Sequence, residues 1–156
     1  MPVTFAAFIE TWAHYRTASV TAAALDIAET RLGTTLPAAY REALITHGAP
    51  STRASLLASI VDQDIDMADV QDFFSPADLV QFTEEWRPLG LPAHLVAFAS
   101  DCAGNLFCFA VVQPGGPRAN DAAVWLWNHE FKRARIVSAG FEAWITAFCG
   151  VPPSQP

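Results

Sequence analysis

Phe5, Phe8, Ile9 and Trp12 recur at the spacing of one helix face, with Tyr15 a step further and Thr4 ahead of them as an N-cap. A second helical pattern runs from about Ser19 to Leu32 and stops at Gly33, a suitable residue to follow a helix end. Pro37 suits the first turn of a third helix, where its missing N–H would be unpaired anyway. Tyr40, Leu44 and Ile45 face inward on it, and Gly48 ends it. Residues 54–61 are short and apolar enough for a first strand, with a helix as the alternative. Ser75-Pro76-Ala77-Asp78 then marks a helix start, since Ser caps, Pro fits the first position and Asp lies in the positive first turn. That helix extends to about Trp86.

From there the period changes from helical to extended. Runs at about 94–100, 105–112, 123–129 and 133–137 predict four antiparallel strands. Asp101, Gly104 and Asn105 tolerate left-handed backbone and make a tight connection between the first two. Gly104 in particular is expected at positive φ. Pro114-Gly-Gly-Pro117 is a loop, and Ser138-Ala-Gly140 leads into a closing helix from Phe141 to Cys149. Trp125 and Trp127 share one face of the third of these strands, with Val124 and Leu126 on the other. Helices first and a meander later predict an α+β fold, with N-terminal helices packed on an antiparallel sheet and a C-terminal helix closing it.

At 156 residues and 52% hydrophobic content, with eleven Phe and five Trp, one domain over 1–150 can bury about 70% of its unfolded surface. Residues 151–156 are expected to form a flexible tail. No apolar run reaches the ~18 residues that a membrane span needs. Residues 1–15 include Glu10 and lack a basic segment, unlike a signal peptide. Three cysteines, an odd count, point to reduced thiols and a cytoplasmic protein.

Charge changes the picture most. The net −7 is concentrated in residues 48–86, where Asp62, Asp64, Asp66, Asp69, Asp72, Asp78, Glu84 and Glu85 face only Arg53. An acidic surface repels nucleic acid and anionic membrane and steers basic partners. Direct nucleic-acid binding is not expected, because the one basic cluster (Lys132, Arg133, Arg135) is small. The expected partner-docking residues are therefore Asp62, Asp64, Asp66, Asp69, Asp72, Glu84 and Glu85, with Trp125 as an aromatic anchor. The plainer reading is that the acids only keep an apolar chain in solution.

Candidate chemistry adds little. Asp62-x-Asp64-x-Asp66 begins like a calcium loop, yet Met67 and Phe73 stand where that loop needs its Gly and its bidentate Glu. His14, His47, His94 and His129 are each isolated from other ligands, so no metal or cofactor is expected. His47 falls in a last helical turn, where a cation is favourable. Cys102 with His129 as base is the best enzyme arrangement, but the chain lacks a nucleophile elbow and a phosphate loop. Asp101 serves better as a turn cap than as a catalytic carboxylate.

Five local patterns occur in a fixed order: Glu29/Leu32/Gly33, Leu36/Pro37/Tyr40 with Gly48, Asp101/Gly104/Asn105, Trp127/Asn128/His129/Glu130, and Phe141/Trp144. Together they cover roughly residues 19–149, and the chain resembles the SUKH superfamily. One departure is Asn128, where an Asp is common. The resemblance implies a non-enzymatic immunity protein that binds a cognate bacterial toxin and occludes it, and the acidic surface suits a nuclease toxin, whose substrate cleft is basic. The alternative that it implies is a regulatory scaffold with no toxin, as in fungal cell-wall-signalling members.

Overall fold

The computed structural model describes residues 3–17 and 19–154. Seven antiparallel strands lie side by side in chain order: β1 (Ala13–Arg16), β2 (Pro50–Thr52), β3 (Asp72–Phe73), β4 (Leu95–Ser100), β5 (Leu106–Ala110), β6 (Val124–Asn128) and β7 (Arg133–Ser138). Among the described residues six α-helices accompany them: α1 (Val3–Trp12), α2 (Ala22–Leu32), α3 (Ala38–His47), α4 (Ala54–Asp62), α5 (Pro76–Trp86) and α6 (Phe141–Cys149). The α+β architecture, the four later strands and the closing helix are those the pattern predicts.

Helix starts follow from where their unpaired N–H groups find acceptors. Thr21 Oγ1 accepts from Ala24 N at 3.1 Å, and Ser75 Oγ accepts from Asp78 N at 3.2 Å. Pro37 sits at the cap of α3, one residue before its first turn, and has no side-chain oxygen. The carbonyls of Ala119 and Asn120 take the Ala38 and Ala39 N–H groups instead, at 2.9 and 2.8 Å. Gly140 caps α6 in the same borrowed fashion. Asp121 Oδ1 accepts from Phe141 N at 2.7 Å, and a Cβ at Gly140 would lie 2.7 Å from Asp121 Oδ2. The segment after β5 therefore caps two helices that are remote in sequence.

The sheet is covered on both faces because successive side chains alternate. Phe98 and Phe109 stack at 4.1 Å and meet Tyr40 of α3, while Phe107 meets Trp144 of α6 at 4.7 Å. Trp127 points the other way and packs edge-on against Trp86 of α5 at 5.6 Å. Beside a bulge in β4, Ala97 N donates to Thr83 Oγ1 of α5 at 2.9 Å, which joins helix to sheet by a buried polar contact. Trp12 closes the α1 side, donating from its indole to Phe148 O at 3.1 Å.

The structure departs from the pattern in three places. Residues 54–61 belong to a helix, not a first strand. Leu56, Ser59 and Ile60 are buried while Ala54, Ser55, Ala58 and Val61 are exposed, which is a stripe of helical period. Tyr15 leaves the α1 pattern for β1, pairs with Ser51 and is 62% exposed. Ile45 is exposed on α3. Of the residues expected as a tail, 151–154 are described, with Val151 buried and Ser154 N donating to Ser59 Oγ at 3.0 Å, while 155–156 lie outside the described residues.

Candidate functional site

The turn after β4 is built around one carboxylate. Asp101 is 6% exposed, and its Oδ1 accepts from the N–H groups of Ala103 and Asn105, both at 2.9 Å. Its Oδ2 accepts from Asn105 Nδ2 at 3.1 Å. Gly104 adopts φ 84°, as the turn requires. Asn105 Oδ1 then accepts from His129 N at 3.2 Å and lies 2.9 Å from His129 Nδ1. Because that oxygen can only accept, Nδ1 carries the proton. The His129 ring in turn lies 5.7 Å from Trp86. The turn, the end of β6 and α5 thus form one lattice, in which Asp101 and His129 hold backbone in place. Asn128 fits the same role: its Oδ1 accepts from Glu130 N and Phe131 N at 2.9 and 3.0 Å, a cap that Asn makes as well as Asp.

Glu29 organises a second junction. It accepts from Leu36 N at 2.7 Å, pairs with Arg118 through both guanidinium nitrogens, and lies 3.2 Å from Arg41. The Glu29 pairing raises the Arg118 pKa, so that cation stays fixed. Sequence marked Glu29 but gave no sign of Arg118, whose only local context is a Gly-Pro loop.

The acidic segment divides when it folds. Asp62, Asp64 and Asp66 are exposed at the end of α4 and in the loop after it, without an ion-pair partner among the described residues. Asp66 and Arg135 line a cleft of about 480 Å³ beside Trp144, on the α6 side of the sheet. Glu84 and Glu85 stand on α5, which covers the opposite face. Glu84 pairs with Arg31 at 3.0 Å, and Glu85 accepts from Gln81. Asp72 is half-buried on β3 and accepts from Ser51 Oγ at 2.6 Å. Asp69 is not a surface charge at all: it is 5% exposed and accepts from Cys102 N at 3.2 Å. Trp125 is half-buried, with its ring 5.7 Å from His94 and its register partner Ile136 exposed on the edge strand β7.

Burial pushes the Asp69 carboxyl pKa up, and the Asp101 charge adds to this while the Cys102 N–H opposes it. A raised folded pKa contributes stability that is complete below the unfolded value and lost as pH rises through the folded one. Asp69→Asn keeps the oxygen that accepts from Cys102 and removes the buried charge. It should therefore match or exceed the wild type in melting temperature at pH 7, with the difference narrowing below about pH 4. A clear loss at pH 7 would show that the charge itself supports the loop.

Cys102 is a poor nucleophile. Partial desolvation and its hydrogen bond to Asp69, followed by the charges of Asp69 and Asp101, push the thiol up to about 11, whereas reactive cysteines need the reverse. His129, its candidate base, is committed to Asn105. Burial likewise raises Cys108 and Cys149, and all three cysteines are free. His47 also differs from the sequence reading: burial and the Arg16 charge lower its pKa, so the neutral ring is favoured at that helix end. Among the described residues no group of three or more His, Cys, Asp or Glu is placed to hold a metal ion. No helix among them is long and apolar enough to cross a membrane.

The fold is a helix-covered antiparallel meander in which Glu29, Asp101, Asn105, Asn128 and His129 are engaged in turns and junctions. The chain belongs to the SMI1 / KNR4 family (SUKH-1), whose model matches residues 19–147. That family in general comprises immunity proteins against toxins, which act through a protein partner. No curated protein matches the chain.

Proposed function

We propose that this protein is a non-enzymatic immunity protein that binds a cognate bacterial toxin domain in the cytoplasm and blocks it by occlusion. Family membership over residues 19–147 is the observation that carries this reading. The charge distribution supports it, because net −7 concentrated in one segment suits a toxin with a basic surface, such as a nuclease cleft. The contacts proposed fall in two sets. Exposed Asp62, Asp64 and Asp66 lie at the end of α4 and after it, with Asp66 on the α6 side of the sheet. Exposed Glu84 and Glu85, with half-buried Asp72 and Trp125, lie on the opposite α5 side. One toxin face takes one of these sets. Asp69 is left out because it is buried. An interface of standard size, about 800 Å² on each partner, is enough to cover an active-site cleft.

The test takes the reading frame next to this chain's gene, which this reading expects to encode the toxin, and co-expresses the two. Wild-type protein should restore growth and abolish toxin activity in vitro. The variant carrying Asp62→Asn, Asp64→Asn, Asp66→Asn, Glu84→Gln and Glu85→Gln should keep its melting temperature within a few degrees, since exposed pairs such as Arg31–Glu84 contribute at most about 1 kcal/mol. Its association rate should fall roughly tenfold at low salt, with a shallower salt dependence. An unchanged rate would reduce these acids to solubilising groups. Failure of the wild type to protect would overturn the immunity reading in favour of a regulatory scaffold.

A further inference from the structure

A cleft of about 410 Å³ opens between α5 and the short strands β1–β3. Its walls are aromatic: Phe74 and Phe82 stack at 4.5 Å, Trp86 lies on the same side of α5, and the mouth includes exposed Tyr15. Two carboxylates line it, Asp72 from β3 and Asp78 from the first turn of α5. Asp72 Oδ1 is taken by Ser51, which fixes the group and leaves Oδ2 open. Neither carboxylate has an ion-pair partner among the described residues, and none of the residues lining the cleft is basic. Gly104, exposed at the tip of the turn, also lines it, so the Asp101–Asn105 turn and its tie to His129 border the cleft.

Two negative charges within aromatic walls, without a cation of their own, set the chemistry of what fits. A carboxylate-bearing or phosphate-bearing ligand would be repelled, and an aliphatic one would leave the carboxylates uncompensated. An ammonium would satisfy the charge and gain cation–π attraction, but it is a point charge with no flat face to stack and no planar fork for a carboxylate. A guanidinium does both, since it is planar, stacks on aromatic faces and bonds carboxylates with two N–H groups at once. We propose that this cleft receives an arginine side chain from a loop of the protein partner, paired with Asp72 and Asp78 and stacked on the aromatic wall. The inference rests on the immunity reading only in taking the partner to be a protein.

The probe is a blocked arginine tripeptide titrated into the isotope-labelled protein, with its citrulline and lysine counterparts alongside. Citrulline keeps the shape and removes the charge. Arginine should give saturable shifts at the amides of Asp72, Asp78 and Gly104 and at the Trp86 indole, with affinity at least tenfold above citrulline and several-fold above lysine. Asp72→Asn should weaken binding several-fold. Asp78→Lys, at an exposed position that leaves the helix cap intact, should abolish the shifts while the protein melts normally. Equal shifts with citrulline, or shifts that survive in Asp78→Lys, would overturn the proposal. Full protection against the toxin by Asp78→Lys would also overturn it, without touching the immunity reading. Arginine-specific shifts in a wild-type protein that fails to protect would sustain the cleft and remove the toxin as its partner.

Discussion

Phe98→Ala should lower stability by about 3–5 kcal/mol, the usual cost of emptying a fully buried aromatic site. Phe98 is wholly inaccessible at the centre of β4, where its ring stacks on Phe109 at an interplanar angle of 10°. The edges of Tyr40, Phe141 and Trp144 meet it at 5.3, 6.1 and 5.5 Å, so one side chain links the sheet to α3 and α6. Such pairs add about 0.5–1.5 kcal/mol each beyond the area they bury. Four large rings anchored on three elements, β5, α3 and α6, cannot all move to fill the gap, so the cavity term stays high. In a domain of this size each kcal/mol is worth about 2–4 °C, which puts the melting point roughly 6–20 °C lower. Phe98→Leu should lose under about 2 kcal/mol, because most of the volume returns. Chemical denaturation measures both. A loss below about 1 kcal/mol for the alanine variant would mean that the four neighbours close over the site.

Glu29→Ala should be the most damaging polar substitution. It removes the acceptor of Leu36 N, a backbone group at a residue 1% exposed, and it leaves Arg41 and Arg118 without their shared carboxylate. Removing one partner of a buried pair costs about 3–5 kcal/mol. Arg118 is one-third exposed and regains some water, which brings the expectation to about 2–4 kcal/mol. Glu29→Gln retains an oxygen for Leu36 N and should lose about half as much. The effect should also be regional. Arg118 holds the segment whose next two carbonyls cap α3 and whose Asp121 caps α6, so residues 113–121 should become protease-sensitive before the rest. Adding Arg118→Ala to Glu29→Ala should cost less than its effect alone, because the two act through one contact. Additive losses in that double-mutant cycle would show that Glu29 acts through Leu36 and Arg41 and not through Arg118.

Both residues show how far the one-dimensional pattern reaches. Phe98 is legible as core because it sits inside an unbroken apolar run. Glu29 is legible as a recurring position just before a helix end. Its partner Arg118 is not, because 89 residues separate them and nothing in a Gly-Pro loop says which carboxylate its arginine meets. The acidic segment carries the same limit. Eight carboxylates crowd residues 62–85, yet only the fold sorts Asp69 into the interior, Asp72 and Asp78 into an aromatic cleft, Asp66 onto the α6 side of the sheet, and Asp62 and Asp64 into solvent.

What local sequence settles here is whatever local physics settles: the Ser75 cap with Pro76 behind it, the positive-φ Gly104, the four runs that become β4 to β7, and the closing helix from Phe141. Each depends on groups within a few residues of one another, so the chain states it directly. The helical state of residues 54–62, the short strands β1, β2 and β3, and the borrowed caps of α3 and α6 depend on partners far along the chain. A strand of two to four residues has too little periodicity to announce itself and exists because an edge was there to pair with. Burial, and with it the charge available for a partner, is likewise a property of neighbours brought together by the fold. Composition alone placed the acids in one segment, while packing decided which of them meet solvent.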